Sequence, residues 1–252
     1  MPAIAYQALF FILCFYGILL VAAPVALRIQ FRWRAKVFPR AVPFGSLPAA
    51  VQAFMAPRVE EFSLWGFDLV AYLKLGEMAA NTQSFMALLS NPHTNEWADV
   101  SYVTSPGRAR GYIEFVTRCA EDAQVETNTN PTAPVLFPLP GHHVARFPQI
   151  RDVLTLYRIH RKLVQERSHG FGPMLPPPGQ EIVELQRRLE RYAAWQQSRG
   201  YMYLDASGEN YRLTWKGAIL GGWRSIWPVP LLRNGSMRIR KAAILRQFGA
   251  AD

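Results

Sequence analysis

Residues 1–27 carry no charged side chain, and that run restricts what the chain can become more than any other feature of it. Residues 4–27 include Leu9, Phe10, Phe11, Ile12, Leu13, Phe15, Ile18, Leu19, Leu20 and Val21. At 1.5 Å per residue this stretch makes a helix of about 36 Å, against a hydrocarbon thickness of roughly 30 Å. A globular surface helix needs a polar face, and beyond Gln7 and Cys14 this segment offers little polar material. Residues 1–27 therefore read as a transmembrane anchor. Pro24 falls where such a helix would reach the interface, so a break or kink there leaves the span intact. A single span this poor in polar groups is no transport pathway on its own.

The rival is a cleaved signal peptide, since Val21, Ala22, Ala23, Val25 and Ala26 supply small residues. A signal peptide carries its positive charge before the apolar run. Here Arg28, Arg32, Arg34, Lys36 and Arg40 all follow it and none precedes. The same asymmetry predicts an N-terminus outside and a cytoplasmic C-terminal domain. Tyr6 and Trp33 are candidates for marking the two interfaces.

The formal charge of +10 asks for a partner of opposite sign, either nucleic acid, acidic protein or anionic lipid. A hydrophobic fraction of 50% supplies a core and argues against general disorder. Cys14 lies in the apolar run and Cys119 in an expected strand, so an intramolecular disulfide and a paired thiolate site are both unsupported.

Residues 28–48, basic and then broken by Pro39, Pro43, Gly45 and Pro48, read as a juxtamembrane linker. A short helix is expected over 49–55 and should stop at Pro57. Strand-like pieces follow at 61–75 (bent at Gly66), 82–89, 97–104, 111–119 and 124–129, the last two forming a hairpin. Short turns between them favour an antiparallel sheet. Residues 128–148, with Pro131, Pro134, Pro138, Pro140 and Pro148, read as an extended connection. Helical spacing predicts helices over 149–167 and 180–199. In the second, Ile182, Leu185 and Leu189 trace the apolar face and Arg187, Arg188 and Arg191 the opposite one. A final hairpin is expected from 201–204 and 210–213. The soluble part thus reads as an α+β domain over 49–213.

Residues 214–252 are Trp-rich and basic. Trp215, Ile219, Gly222, Trp223, Ile226 and Trp227 share a helical face, with Lys216 and Arg224 off it. Arg238, Arg240 and Lys241 follow. Trp on one side and cations on the other describe an amphipathic helix lying among anionic headgroups. Two alternatives stay open: a second span, which Arg224 disfavours, and a helix packing its Trp face onto the domain. The expected lipid-facing residues are Arg28, Arg32, Arg34, Lys36, Trp215, Trp223, Trp227, Arg238, Arg240 and Lys241.

The segment YRLTWKGA at 211–218, then Trp223, Trp227 and Pro228 and the basic tail, resembles the C-terminus of an uncharacterised family of bacterial single-pass membrane-anchored proteins. The segments YIEFVT at 112–117, VETNTN at 125–130, Phe147 with Pro148, and LYRIH at 156–160 extend that resemblance. It implies the same anchored architecture in an inner membrane, and no activity comes with it.

Gly221 and Gly222 lack the strand and the Lys-Ser/Thr of a phosphate loop, and no HExxH, CxxC or EF-hand pattern occurs. His142 and His143 sit on a proline-rich loop without further ligands in local register. His160 lies on the apolar side of its helix, and Cys119 reads as a buried structural thiol. Glu114 and Glu126, across a hairpin, read as a solvated face or an ion pair. Recognition patterns for nucleic acid are absent. No cofactor and no metal are expected. The expected function is a non-enzymatic membrane subunit or adaptor that contacts anionic lipid and other membrane proteins. The alternative is a membrane-tethered enzyme or ligand sensor with a pocket between the sheet and helix 149–167.

Overall fold

The computed structural model describes residues 2–75, 81–119, 123–131, 136–168, 170–226, 242–244 and 246. Within the first helix it describes the side chains of 6, 7, 10, 11 and 14–30. The chain opens with helix α1 (Pro2–Gln30), short strands β1 (Trp33–Arg34) and β2 (Arg40–Ala41), and helix α2 (Ala49–Ser63). Strands β3 (Asp68–Lys74), β4 (Gln83–Asn91), β5 (Glu96–Ser105), β6 (Arg108–Arg118), β7 (Gln124–Asn128) and β8 (His142–Arg146) follow. Helices α3 (Val153–Arg167) and α4 (Glu181–Ser198), strands β9 (Met202–Leu204) and β10 (Asn210–Leu213), and helix α5 (Trp215–Ser225) complete it. The fold is α+β. Two compact units divide it, one of Met1–Ala35, Pro134–Phe137 and Ala193–Lys241, the other of Lys36–Ala133, Pro138–Tyr192 and Ala242–Asp252.

The larger unit is built on a sheet of order β2-β3-β4-β5-β6-β7-β8 among the described residues. It is antiparallel from β2 to β7, and β8 pairs parallel to β7. The expected extended connection thus contains a strand, and the sheet is mixed. Parallel pairing needs a crossover of about a dozen residues, which the proline-rich stretch between Asn128 and His142 provides. The β5–β6 turn is closed by Pro106 and Gly107, whose φ of +71° is open to glycine without strain. At the β4–β5 turn Asn91 Oδ1 accepts from the amides of His93 at 3.0 Å and Thr94 at 3.2 Å, while its Nδ2 donates to the Trp65 carbonyl.

Alternation along the strands sends one set of side chains to each face. Leu89, Ala98, Val100, Ile113, Phe115 and Val125 meet α2 and α3 on one face. Leu73 and Leu88 meet Ile182, Leu185 and Leu189 of α4 on the other. Pro57 does not end α2, which continues to Ser63 with Val51, Met55 and Phe62 buried. The lost backbone bond at Pro57 is offset by that buried face, so tertiary packing overrides the local breaker. Residues 61–63, expected in a strand, belong to this helix. Helix α3 begins four residues later than expected because Asp152 caps it, its Oδ2 accepting from the Thr155 amide at 2.6 Å.

The smaller unit holds α1, the sheet β1-β10-β9 and α5. The expected C-terminal hairpin is β9–β10. Trp33 and Arg34, expected in the linker, pair with Tyr211 and Asn210 as a third strand. Among the described residues no helix is long and apolar enough to cross a membrane. Helix α1 runs for 29 residues, with Arg28 in its last turn as its one charged residue.

Candidate functional site

The smaller unit gathers aromatic and cationic side chains around the C-terminal end of α1. The Arg28 guanidinium lies 4.8 Å from the centre of the Trp215 ring and 5.7 Å from that of Tyr203. Its Nη1 donates to the Leu213 carbonyl at 2.5 Å. A guanidinium is suited to this, because its plane stacks on rings while its edge donates. Arg34 forms an exposed ion pair with Glu209 at 3.6 Å, and Arg212 Nη1 donates to the Ile29 carbonyl at 3.3 Å. Lys216 sits 4.9 Å from the Tyr201 ring and donates to the Arg199 carbonyl at 2.7 Å. Arg32 and Lys36 are exposed.

Thr214 caps α5, its Oγ1 accepting from the Gly217 amide at 3.0 Å. The helix buries Gly217, Ala218, Gly221 and Gly222 and leaves Trp215 and Trp223 exposed at 54% and 44%. The residues turned inward are therefore the small ones, Gly222 among them, while the large Trp rings stay largely exposed. A Cβ on Gly217 would stand 2.1 Å from the Tyr201 carbonyl oxygen, and one on Gly222 would stand 3.0 Å from the backbone nitrogen of Pro24. The Trp223 indole donates to the Leu20 carbonyl at 3.2 Å. Bulky side chains of α1 stay exposed, among them Phe10, Phe11, Phe15, Ile18 and Val21.

The structure thus brings Arg28 and Trp215 together and places Trp223 on α1. Trp227, Arg238, Arg240 and Lys241 lie outside the described residues. Tyr203 and the Leu213 carbonyl join Arg28 without any signal in the sequence. The four-residue spacing of Gly217 with Gly221 and of Ala218 with Gly222 was the signal available for close helix contact.

The larger unit carries two buried polar clusters, one on each sheet face. On the α4 face, Asp99 is opposite Glu114 and Glu114 opposite Asn128. Arg188 reaches Glu126 at 2.8 Å and Glu114 at 3.4 Å, and the Asn128 amide donates to Glu114 at 2.9 Å. Gln124 donates to Glu126, and Ser101 to Asp99 at 2.6 Å. Arg188 was expected on the face of α4 opposite its apolar one; instead it reaches the sheet and neutralises the carboxylates there. Burial pushes Asp99 up to about 6 against the pull of its Ser101 hydrogen bond and the Arg188 charge. Burial, with the charges of Glu126 and Asp99, raises Glu114 well above the usual carboxylate range. Glu184 binds this helix further, pairing with Arg118 at 2.8 Å and Arg191 at 2.9 Å.

On the α3 face, Glu96 is fully buried. It accepts from Tyr157 at 2.8 Å and Thr117 at 3.3 Å, and pairs with Arg161 at 2.9 Å. His160, also fully buried, lies between Thr117 at 2.8 Å from Nε2 and Thr127 at 3.0 Å from Nδ1. Because the Thr117 hydroxyl donates to Glu96, it accepts from Nε2–H, and Thr127 donates to Nδ1. A neutral imidazole satisfies both threonines, and burial, then the Arg161 charge, lowers its pKa to about 3. Burial first and then Glu96 raise the Tyr157 phenol to about 12. Around them Phe62, Phe67, Phe115 and Tyr157 pack with ring centres 5.0–5.6 Å apart. These rings pack into the space between the sheet and α3, where the alternative reading placed a pocket.

His142 and His143 belong to β8 beside Gln124 and Val125, not to a loop. Cys119 is buried, and its burial raises the thiol pKa. Among the described residues no group of three or more His, Cys, Asp or Glu could hold a metal ion. Comparison with protein-family models, curated proteins and solved structures finds no match to this chain.

Proposed function

We propose that this protein is a single-pass, non-enzymatic subunit or adaptor of the bacterial inner membrane, with α1 as its anchor and the mixed-sheet domain on the cytoplasmic side. The observation that carries this reading is the join of a helix without charge before Arg28 to an Arg–Trp–Tyr cluster at its C-terminal end. Read with its full sequence, α1 offers no charge before Arg28, and Phe10, Phe11, Phe15, Ile18 and Val21 are exposed along it. A surface of that kind is stable in acyl chains and costly in water, at about 25 cal/mol per Å². Arg28 with Trp215 and Tyr203 matches the composition of an interfacial belt. Arg32, Arg34 and Lys36 follow the helix in sequence and are exposed, and a cation near anionic lipid is worth on the order of 1 kcal/mol.

Within the larger unit the polar groups are turned to structural use. Glu96, His160, Thr117 and Thr127 satisfy one another inside a packed core, which supports an interaction role over a catalytic one. The partners in this reading are anionic lipid and other membrane proteins, with no nucleic acid and no cofactor.

Gentle detergent extraction from native membranes, followed by mass spectrometry of the purified material, tests both parts. The chain is expected in the membrane fraction with at least one companion protein in stoichiometric amount. Recovery in the soluble fraction would sink the anchor, and recovery as a lone monomer would sink the subunit role.

A further inference from the structure

Three contacts fix the course of α5 along α1. Trp215 meets Arg28 at 4.8 Å, Gly222 closes on Pro24, and Trp223 donates to Leu20 at 3.2 Å. As α5 advances from 215 to 223, its partner on α1 retreats from 28 to 20. The two helices are therefore antiparallel over eight residues, about 12 Å at 1.5 Å per residue. A helix lying in the plane of the headgroups would instead cross α1 at a single level.

We infer that α5 enters the cytoplasmic leaflet beside α1 as a re-entrant half-hairpin, with lipid acyl chains covering its outward Trp223 side. This rests on the reading of α1 as a membrane anchor. The entry end is built for the headgroup level, with Arg28, Trp215 and Lys216 at or near the start of α5. The deeper end changes character, because Trp223 stands beside Leu20, and the neighbouring α1 surface at Ile18, Leu20 and Val21 is apolar and exposed. That surface is continuous with the exposed flank of α5 and has the chemistry of acyl chains.

The contact between the helices suits the same setting. Without water to drive association, helices in lipid join through small residues that admit close backbone approach, and α5 presents Gly222 to Pro24 in this way. Arg224 is the one cation in the deeper turn. Its guanidinium lies 4.4 Å from the Phe137 ring centre, and Phe137 stacks on Tyr201 at 4.3 Å. Tyr201 abuts Gly217 in the first turn of α5 and lies under Lys216. Arg224 is thus directed back toward the entry end, its guanidinium covered by an aromatic ring and not aimed at the acyl chains.

Spin labels at three positions test this in the full-length protein reconstituted into phosphatidylethanolamine–phosphatidylglycerol vesicles. Cys14 is replaced by serine, while buried Cys119 is left shielded, and F15C, W215C and W223C are labelled one at a time. Relative collision rates with oxygen and a water-soluble nickel chelate report depth. The expected result is a label at 15 within the hydrocarbon and a label at 223 deeper than that at 215 by about 12 Å. Equal depths at 215 and 223 with 15 in lipid would overturn the insertion and leave the anchor standing. Chelate access at 215 and 223 with 15 in lipid would also overturn it, placing α5 in water. A label at 15 open to the chelate would remove the anchor, and the insertion with it. Should W223C fail to assemble, quenching by lipids brominated deep or shallow on the acyl chain replaces it. The deep-brominated quenching then falls in W223F and the shallow in W215F; no difference between the variants would refute the insertion.

Discussion

Arg28 and Leu213, 185 positions apart in sequence, are joined by a 2.5 Å hydrogen bond from a guanidinium Nη1 to a backbone carbonyl. This bond ties the last turn of α1 to the end of β10, just ahead of the Thr214 cap of α5. A hydrogen bond from a charged donor contributes about 1.5–3 kcal/mol, and ring contacts add to it. R28A is expected to destabilise the smaller unit by about 2 kcal/mol, seen as faster amide exchange across β9 and β10. R28K retains the charge but loses the fork and the stacked plane, so it should recover only part of that protection. Unchanged exchange in R28A would show the bond to be dispensable.

The tight approach at α5 gives a graded series. A methyl group at position 217 would meet a backbone carbonyl at 2.1 Å, and one at 222 would meet Pro24 at 3.0 Å. Gly17 of α1 has nothing within 4 Å of such a methyl. Over-packing costs about 1–3 kcal/mol, so thermal unfolding in detergent should rank G217A least stable, G222A next, and G17A close to wild type. A destabilised G17A beside an unaffected G217A would contradict the observed packing.

The β3–β7 ladder and α4 were legible because strand alternation and helical spacing are local signals. Pro57 misled because a breaker is a local cue, whereas Val51, Met55 and Phe62 hold α2 together through contacts with the sheet. β8 was hidden because parallel pairing leaves no turn signature and its strand sits among prolines. At the candidate site, Arg28 and the Trp residues were visible as composition. Their arrangement was not, since Tyr203 and Leu213 approach Arg28 only after a chain reversal of more than 170 residues. Which residues of α5 would turn inward was left open in the sequence for a related reason. Trp carries more hydrophobic surface than Gly, but close helix contact selects the smaller residue.

Arg188 is the counter-charge for Glu114 and Glu126, at 3.4 and 2.8 Å. Removing one partner of a buried ion pair costs about 3–5 kcal/mol because the remaining charges lose compensation. R188M is therefore expected to lower stability by about 3 kcal/mol at neutral pH, with a smaller loss in the E114Q/E126Q background. Denaturant titrations of the four proteins form the cycle. Additive losses would show that Arg188 acts through packing alone.

His160 and Asp99 give opposite pH slopes in the acid range. His160 has its pKa lowered from 6.5 to about 3 by burial and by Arg161. The unfolded chain therefore takes up a proton that the folded one refuses, and stability falls as pH drops from 6.5 toward 3. Asp99 is raised from 3.8 to about 6 by burial, so the folded chain holds the extra proton. Its contribution is fully present below pH 3.8 and is lost as pH rises through about 6. Between those limits each full proton difference changes stability by about 1.4 kcal/mol per pH unit, with opposite sign. D99N should consequently lose stability more steeply than wild type on acidification from pH 6 to 4, because one of the two buried carboxyls that oppose the His160 slope, Asp99 and Glu114, is gone. H160N should show a shallower or inverted slope over the same interval. Proton resonances of the His160 ring should not titrate between pH 5 and 8 in the folded protein. Parallel slopes in D99N, H160N and wild type would mean that neither group is linked to folding.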